Sequence, residues 1–332
     1  MKAGIIGAGR IGKVHAKNIT YFVPELEIKT VADPFMNPET EALLHGYGIQ
    51  NTTKDAAEII NDPEIEAVLI CSSTDTHADF IMQAAKAGKH IFCEKPIDYD
   101  IDRVRQAIQA AQDAGVKLQI GFCRRFDHNH RAVYDMVRAG KVGDVNLIKI
   151  SSRDPEPPSI AYVKVSGGIF YDMMIHDFDM ARFLAGCEVT EVSACGSVLV
   201  DPAIGEAGDI DTAVVTLKFE NGAIGIIDNS RRAVYGYDQR VEVFGSKGCA
   251  INSNDIPSTA VFWGEDGSVS GTAYKVMWDR YTGAFVAEMQ AFAKAVMNDE
   301  ETPVTGMDGL YPVLMAAAAA KSLKEGHPVR IQ

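Results

Sequence analysis

Two short clusters carry residue types suited to moving a proton and a hydride. The first reads His-Ile-Phe-Cys-Glu-Lys-Pro at residues 90–96. An apolar strand ends there in the charged pair Glu94-Lys95, held by Pro96. Doubly wound proteins place their ligands at the C-terminal edge of parallel strands. A lysine at that edge can have its pKa lowered by a neighbouring positive charge or by desolvation, and can then carry a proton. The same pair also reads as a surface salt bridge. The second cluster is Tyr171-Asp172-Met173-Met174-Ile175-His176-Asp177-Phe178-Asp179. On one helix Asp172, His176 and Asp179 share a face, and Asp177 points elsewhere. Oxidising an alcohol needs a base for the hydroxyl proton while hydride leaves, and His176 suits that task near neutral pH. Asp172 can orient the imidazole or stabilise its charged form, and Asp179 can bind substrate hydroxyls. Gly167-Gly168 just upstream allows a ligand to approach the backbone. The competing reading is a solvated acidic helix face with one histidine. The apolar neighbours Met173, Met174, Ile175 and Phe178 weigh against it.

A third motif, Gly7-Ala8-Gly9-Arg10-Ile11-Gly12, directly follows an apolar strand and opens a helix. Asp33 ends the next strand, twenty-one residues after Gly12. Together these make the dinucleotide-binding fingerprint. Gly7 allows the tight turn, Gly9 lets backbone approach a pyrophosphate, and Gly12 lets the helix pack on the strand. The helix start offers N–H groups and positive dipole to phosphates. Asp33 suits the two hydroxyls of the adenosine ribose. A 2′-phosphate would meet its carboxylate, with no cation from Pro34 or Phe35 to compensate, so the expected cofactor is NAD rather than NADP.

The elements that must position these residues follow one rhythm up to residue 121. Short apolar strands at 2–6, 27–32, 67–71, 90–93 and 117–121 alternate with helical stretches, one of them at 53–60. This predicts βαβ units and a parallel sheet. After residue 121 strand-like runs follow one another, the last at 260–263, separated by Asn221-Gly222, Ser246-Lys247-Gly248 and Asp266-Gly267. Tight turns between consecutive strands predict an antiparallel sheet. Helical spacing covers 129–139, 170–184, 284–297 and 310–324. The expected fold is an α/β N-terminal Rossmann domain, 1–121, and an α+β C-terminal domain with a large open, mostly antiparallel sheet, 122–332. The second domain is expected to bind substrate and to mediate oligomerisation.

Composition bounds the partners. The 332 residues are 47% hydrophobic and 23% charged, enough apolar content to exclude disorder as the main state. A net charge of −13 argues against nucleic acid or an anionic membrane as partner. No apolar run has the length of a membrane span, and glycine breaks the first apolar stretch too early for a signal peptide. Six scattered cysteines without a CxxC read as free, mostly buried thiols in a reducing compartment, so the expected location is cytoplasmic. Asp127-His128-Asn129-His130 lacks further Cys or His neighbours in sequence and reads as a helix-start surface patch rather than a metal site; no metal is expected. His15 reads as a packed helix residue.

Taken together, the glycine motif with Lys-Val-His-Ala after it, Thr76-His77, Gly88-Lys89-His90, Glu94-Lys95-Pro96, Gly167-Gly168 with Asp172, His176-Asp177 and Asp179, and Thr305-Gly306-Met307-Asp308-Gly309 resemble the glucose–fructose oxidoreductase/inositol dehydrogenase (Gfo/Idh/MocA) family over nearly the whole chain. Gly121-Phe122-Cys123-Arg124-Arg125-Phe126-Asp127 and Tyr235-Gly236-Tyr237-Asp238 look like its inositol dehydrogenases. The resemblance implies that Lys95 sits between nicotinamide and substrate, with the Lys95–Pro96 peptide open to the cis form. It implies that His176 is the acid/base, assisted by Asp172. Arg125, Asp179 and Tyr235 would contact a polyol, with Asp154 in the 153–158 loop as a further substrate ligand. Ser72, Ser73, Thr74 and His77, with Arg10, Ile11, Glu94 and Lys95, would surround the cofactor. The implied reaction is NAD-dependent oxidation of myo-inositol to its 2-keto product by a homo-oligomer, dimer or tetramer, joined through the open sheet face. The alternatives are another inositol isomer, scyllo or chiro, or a monosaccharide such as glucose or xylose. A non-catalytic NAD(H) sensor is the remaining alternative, and an acid/base set of Lys95, Asp172 and His176 speaks against it. The acidic loop and helix face suit a neutral polyol better than a phosphorylated or nucleotide-linked sugar.

Overall fold

Short apolar runs punctuated by glycine become β1 (Lys2–Ile6), β2 (Glu27–Ala32), the brief β3 (Asn51–Thr53), β4 (Ala67–Ile70), β5 (His90–Glu94) and β6 (Leu118–Gly121). The structure, a computed structural model, describes residues 1–331. The six strands form one parallel sheet in the order β3-β2-β1-β4-β5-β6. Helices α1 (Arg10–Phe22), α2 (Pro38–Gly46), α3 (Ala56–Ile60), α4 (Thr74–Lys86) and α5 (Ile101–Asp113) connect them. The helical reading of 53–60 is corrected to the end of β3 followed by the shorter α3. Every residue of β4 is buried, as expected of a strand covered on both faces. The winding reverses between β1 and β4, which lie side by side. Their C-terminal ends form the switch point where such sheets take ligands.

The chain divides into two compact units, Met1–Phe126 with Thr282–Val313, and Asp127–Tyr281 with Leu314–Gln332. The sequence rhythm alone set the division at 121/122 and placed 282–313 in the second domain. The reason for the difference is tertiary packing. Met289, Phe292 and Ala293 share a core with Ile5, Leu69 and Phe92. The Ile120 N–H also donates to the Val304 carbonyl, at 3.1 Å.

In the second unit, α6 (His128–Arg138), β7 (Val145–Arg153), α7 (Ile160–Val163), α8 (Ile169–Asp172), α9 (Ile175–Ala185), β8 (Val189–Ser197), α10 (Pro202–Glu206), β9 (Thr212–Phe219), β10 (Ile224–Ser230), β11 (Asp238–Gly245) and β12 (Gly248–Asn252) follow in order. After the β13 (Val261–Gly264) and β14 (Gly267–Ser270) hairpin come α11 (Met277–Met297), α12 (Gly306–Glu325) and β15 (Val329–Arg330). Seven strands pair as β12-β11-β7-β10-β9-β8-β15, antiparallel except for β7 with β10. Burial alternates along β9, with Ala213, Val215, Leu217 and Phe219 facing a core that includes Val133, Phe178, Met180 and Ala316. The run at 260–263 does not join this sheet. β13 pairs only with β14, in a separate exposed hairpin.

One expected helix is two. The 170–184 stretch breaks after Asp172, because the Ile169 carbonyl accepts from both Met173 N–H (3.1 Å) and Met174 N–H (2.9 Å) and the ladder slips by one residue. Asp172 therefore ends α8, and His176 and Asp179 ride on α9. The single-helix face that joined the three on sequence spacing is not what positions them.

Candidate active site

In the first unit, the turn from β1 to α1 is shaped by what its glycines lack. Gly7 has φ +102°, and a Cβ there would lie 2.5 Å from the Cys71 carbonyl carbon and the Ser72 nitrogen. A Cβ on Gly12 would collide with the Gly7 carbonyl oxygen. A Cβ on Gly9 would meet nothing within 4 Å, so open space lies beside the start of α1. That start has no side-chain cap. An uncapped helix N-terminus opening on space, framed by small residues, fits a dinucleotide pyrophosphate. Asp33 reaches back to this turn. One carboxylate oxygen accepts from the Ala8 N–H at 2.6 Å and the other from the Phe35 N–H at 2.8 Å, which fixes the carboxylate beside the glycine loop.

Ser72, Ser73 and Thr74 run from the end of β4 into α4, with Ser73 as the cap residue. The Ser72 hydroxyl lies 2.7 Å from that of Thr76. His77 is only 2% exposed and faces the protein's own backbone. Its Nδ1 lies 2.8 Å from the Pro96 carbonyl oxygen, and its Nε2 lies 3.0 Å from that of Ser72. Burial pushes the imidazole pKa down, against the opposite pull of the two carbonyls. His77, expected to line the cofactor, turns both ring nitrogens toward backbone carbonyls.

Lys95 follows the last residue of β5, and the Lys95–Pro96 peptide is cis. Glu94 is 9% exposed, and its Oε1 accepts from His15 Nε2 at 2.7 Å. A surface Glu94–Lys95 pair is thereby excluded as the reason for this glutamate. The His15 ring packs edge-on against Phe92 and Phe285. Cys71, Cys93 and Cys123 are buried, and burial raises their thiol pKa values well above normal, as inert packing residues require. Arg125 lies in a 3₁₀ turn and donates to Asp308 Oδ1 at 2.8 Å. The other Asp308 oxygen accepts from the Thr305 N–H and hydroxyl.

In the second unit, Asp172 accepts from the Tyr162 hydroxyl at 2.8 Å and from Arg231 at 3.1 Å. Arg231 is buried and also donates to Asp209, at 3.2 Å. Asp209 in turn caps the Ile169 N–H at 3.1 Å. Gly168 has φ +82°, and a Cβ there would lie 2.8 Å from the Asp209 carboxylate. What comes close to Gly168 is thus that carboxylate, where a ligand was expected. Tyr162, Asp209 and Arg231 went unnoticed in the sequence, since nothing in its spacing separates a buried arginine from a surface one.

His176 is half-buried on α9, whereas Asp177 and Asp179 are buried. Asp177 accepts from Asn229 at 2.9 Å; on the acidic face itself Asp179 is only 1% exposed, so that face is not fully solvated. Asp154 lies just past β7, held by main-chain bonds to Ser230 and Ala233. Tyr235 belongs to a different cluster. Its hydroxyl donates to Asp238 at 2.6 Å and accepts from Arg153 at 3.0 Å, and Arg153 also pairs with Asp228. Asp127 caps α6 and binds His130 and Arg280. Among the described residues there is no group of three or more His, Cys, Asp or Glu placed to hold a metal, and no helix is long and apolar enough to cross a membrane.

Residues 1–122 match the oxidoreductase family with an NAD-binding Rossmann fold, and residues 130–251 match the GFO/IDH/MocA C-terminal domain. The chain is 45% identical to the myo-inositol 2-dehydrogenase of Thermotoga maritima over 332 residues, covering 100% of this chain and 99% of that one. It is also 45% identical to the inositol 2-dehydrogenase of Rhizobium meliloti over 331 residues, again 100% and 99% of the two chains. Among solved structures, scyllo-inositol dehydrogenase from Lactobacillus casei with bound NAD(H) and scyllo-inositol superposes with a TM-score of 0.92 at 31% identity, covering 100% of this chain and 99% of that one. A fingerprint turn open at Gly9, a lysine at the end of β5 and this likeness over the full length agree, and the chain belongs to the GFO/IDH/MocA family as an NAD-dependent oxidoreductase.

Proposed function

We propose that the chain oxidises a ring hydroxyl of free inositol, myo-inositol to 2-keto-myo-inositol. The observation that carries this reading is 45% identity over the whole chain to proteins named inositol 2-dehydrogenases. Lys95 at the β5 terminus and His176 on α9 support it.

The chemistry NAD+ would supply when bound is acceptance of the hydride from the carbinol carbon. Gly9, Arg10, Ile11 and Gly12 would hold its pyrophosphate by main-chain N–H groups at the start of α1, while Gly7, whose N–H donates to the Ala32 carbonyl, would shape the turn beneath it. Asp33 would take the adenosine ribose hydroxyls, its carboxylate already fixed by the Ala8 and Phe35 N–H groups. Ser72, Ser73 and Thr74 would line the cofactor. Lys95 binds the reacting hydroxyl, and His176 takes its proton as general base. Asp172, tethered by Tyr162 and Arg231, supports the positive charge that His176 acquires. Arg125, Asp154 and Asp179 bind the remaining hydroxyls. Holding both reactants in register supplies much of the rate.

The second reading keeps this mechanism and changes the isomer. The likeness to a scyllo-inositol dehydrogenase over the whole chain favours it above any sugar. The deciding experiment is NADH formation with myo-, scyllo- and D-chiro-inositol, D-glucose and D-xylose, each with NAD+ and with NADP+. The expected result is the highest kcat/KM with myo-inositol and NAD+. A higher kcat/KM with scyllo-inositol replaces the substrate, and turnover of glucose or xylose alone rejects the inositol reading.

A further inference from the structure

Three consecutive residues, Glu94, Lys95 and Pro96, are gripped on both sides of the lysine by buried histidines from two different helices. On one side, His15 of α1 donates through Nε2 to Glu94 Oε1 at 2.7 Å, while its Nδ1 is buried without a hydrogen-bond partner. The Nε2–H tautomer satisfies this arrangement. Phe92 and Phe285 stand edge-on to the ring and hold it in place. On the other side, His77 of α4 places Nδ1 2.8 Å from the Pro96 carbonyl oxygen and Nε2 3.0 Å from the Ser72 carbonyl oxygen. A neutral ring donates to only one of these two carbonyls, and the Nδ1–H tautomer gives that bond to the nearer one, Pro96. The helix that carries His15 is also the one whose uncapped start opens on the space beside Gly9.

We propose that His15 and His77 are positioning residues for Lys95. His15 fixes the Glu94 side chain, His77 fixes the Pro96 carbonyl, and the lysine between them is held in register with the cofactor turn. Neither imidazole touches cofactor or substrate in this assignment. The inference rests on the reading of Lys95 as a group that acts on the reacting hydroxyl.

The two ring nitrogens of His77 can be removed one at a time. Asparagine places its amide nitrogen near the position of Nδ1, and glutamine places its own near Nε2. In the full-length enzyme assayed with NAD+ and inositol, His77→Asn keeps the Pro96 contact and His77→Gln loses it. The expected result is a kcat within about 3-fold of native for His77→Asn and a loss of about 100-fold for His77→Gln, the size of effect a misplacement of about 1 Å brings. NADH affinity, read by fluorescence titration, stays within about 3-fold in both, because positioning acts on the chemical step. The second arm is independent of whether the His77 variants fold. His15→Gln keeps the donor to Glu94 and retains kcat, whereas His15→Asn falls short of it and loses kcat at unchanged NADH affinity. Equal kcat in the Asn and Gln variants of both positions overturns the proposal. So does a loss of NADH affinity that accounts for the loss in rate, since that marks a cofactor-binding role. Native turnover by Lys95→Ala removes the lysine from the mechanism and the proposal with it, a failure distinct from indifferent histidine variants beside an inactive Lys95→Ala.

Discussion

Gly9 and Gly12 belong to one turn but respond differently to an added methyl group. At Gly12 the methyl collides with the Gly7 carbonyl oxygen, so Gly12→Ala forces α1 away from β1. At Gly9 it enters open space where a pyrophosphate is expected. Gly9→Ala should therefore keep its melting temperature within about 1–2 °C while losing at least about tenfold in NADH affinity, and Gly12→Ala should lose several degrees as well. A stable Gly9→Ala with native NADH affinity would show that the pyrophosphate does not lie over this turn. At the chemical groups themselves, Lys95→Ala and His176→Ala should each lower kcat by about 10²–10⁴-fold with NADH binding retained. A near-native kcat in either removes that residue from the reaction. Much at this scale was legible, because glycine fingerprints and a charged residue after an apolar strand are local signals. The Arg231–Asp172 pair was not, since its members lie 59 residues apart and only the fold brings them together. Nor was the occupation of the His77 ring, which depends on a carbonyl 19 residues further along.

Elements in the second unit are tied by buried charge. Asp127 is the cap of α6, accepting from the Asn129 and His130 N–H groups at 3.1 Å, and Arg280 near the start of α11 donates to the same carboxylate. Both side chains of the Asp127–Arg280 pair are almost fully buried. The His130 and Arg280 partners hold the Asp127 carboxyl far below the usual carboxylate range despite burial, which acts in the opposite direction. A depressed carboxylate contributes stability that is complete above its unfolded pKa, about 4, and that falls away as pH drops below it. Asp127→Asn should therefore cost about 3 kcal/mol near neutral pH, by removing the nearer counter-charge of buried Arg280 and leaving only Asp255, at 3.5 Å. It should also flatten the loss of stability below about pH 4 that native protein shows. Urea midpoints at pH 7 and pH 3 measure both, and an equal difference between native and variant at the two pH values would contradict the assignment. At this scale local chemistry made the helix start at Asp127 legible, but Asp127 and His130 are buried and not the surface patch expected, because Arg280 comes from a distant helix to cover them. The sequence reading treated 170–184 as one helix because a slip of one residue leaves the apolar spacing nearly intact. It also left 282–313 with the second domain, since which core Phe292 enters is a tertiary matter.

For the whole molecule, the sheet of the second unit offers a surface that its own chain leaves exposed. Register fixes which residues share that face. Ile224 on β10 is opposite Leu147 on β7, which is opposite Phe244 on β11, which is opposite Cys249 on β12. Ile224, Phe244 and Cys249 are exposed, and Val214 on β9 and Ile251 on β12 extend the same face. An apolar row crossing four strands, flanked by Lys149, Glu242 and Lys218, has the make-up of an association surface rather than of scattered exposed side chains. A net charge of −13 keeps copies apart at long range, so contact must come from such a local patch. The expected outcome is a homo-oligomer by light scattering, stable to dilution into the micromolar range. Phe244→Lys combined with Ile224→Lys places like charges on the row. It should shift the mass toward a single chain while the far-ultraviolet spectrum stays native, because neither side chain enters the core. A native chain that scatters as a monomer at all concentrations would refute association, and an oligomer untouched by the double variant would place the interface elsewhere.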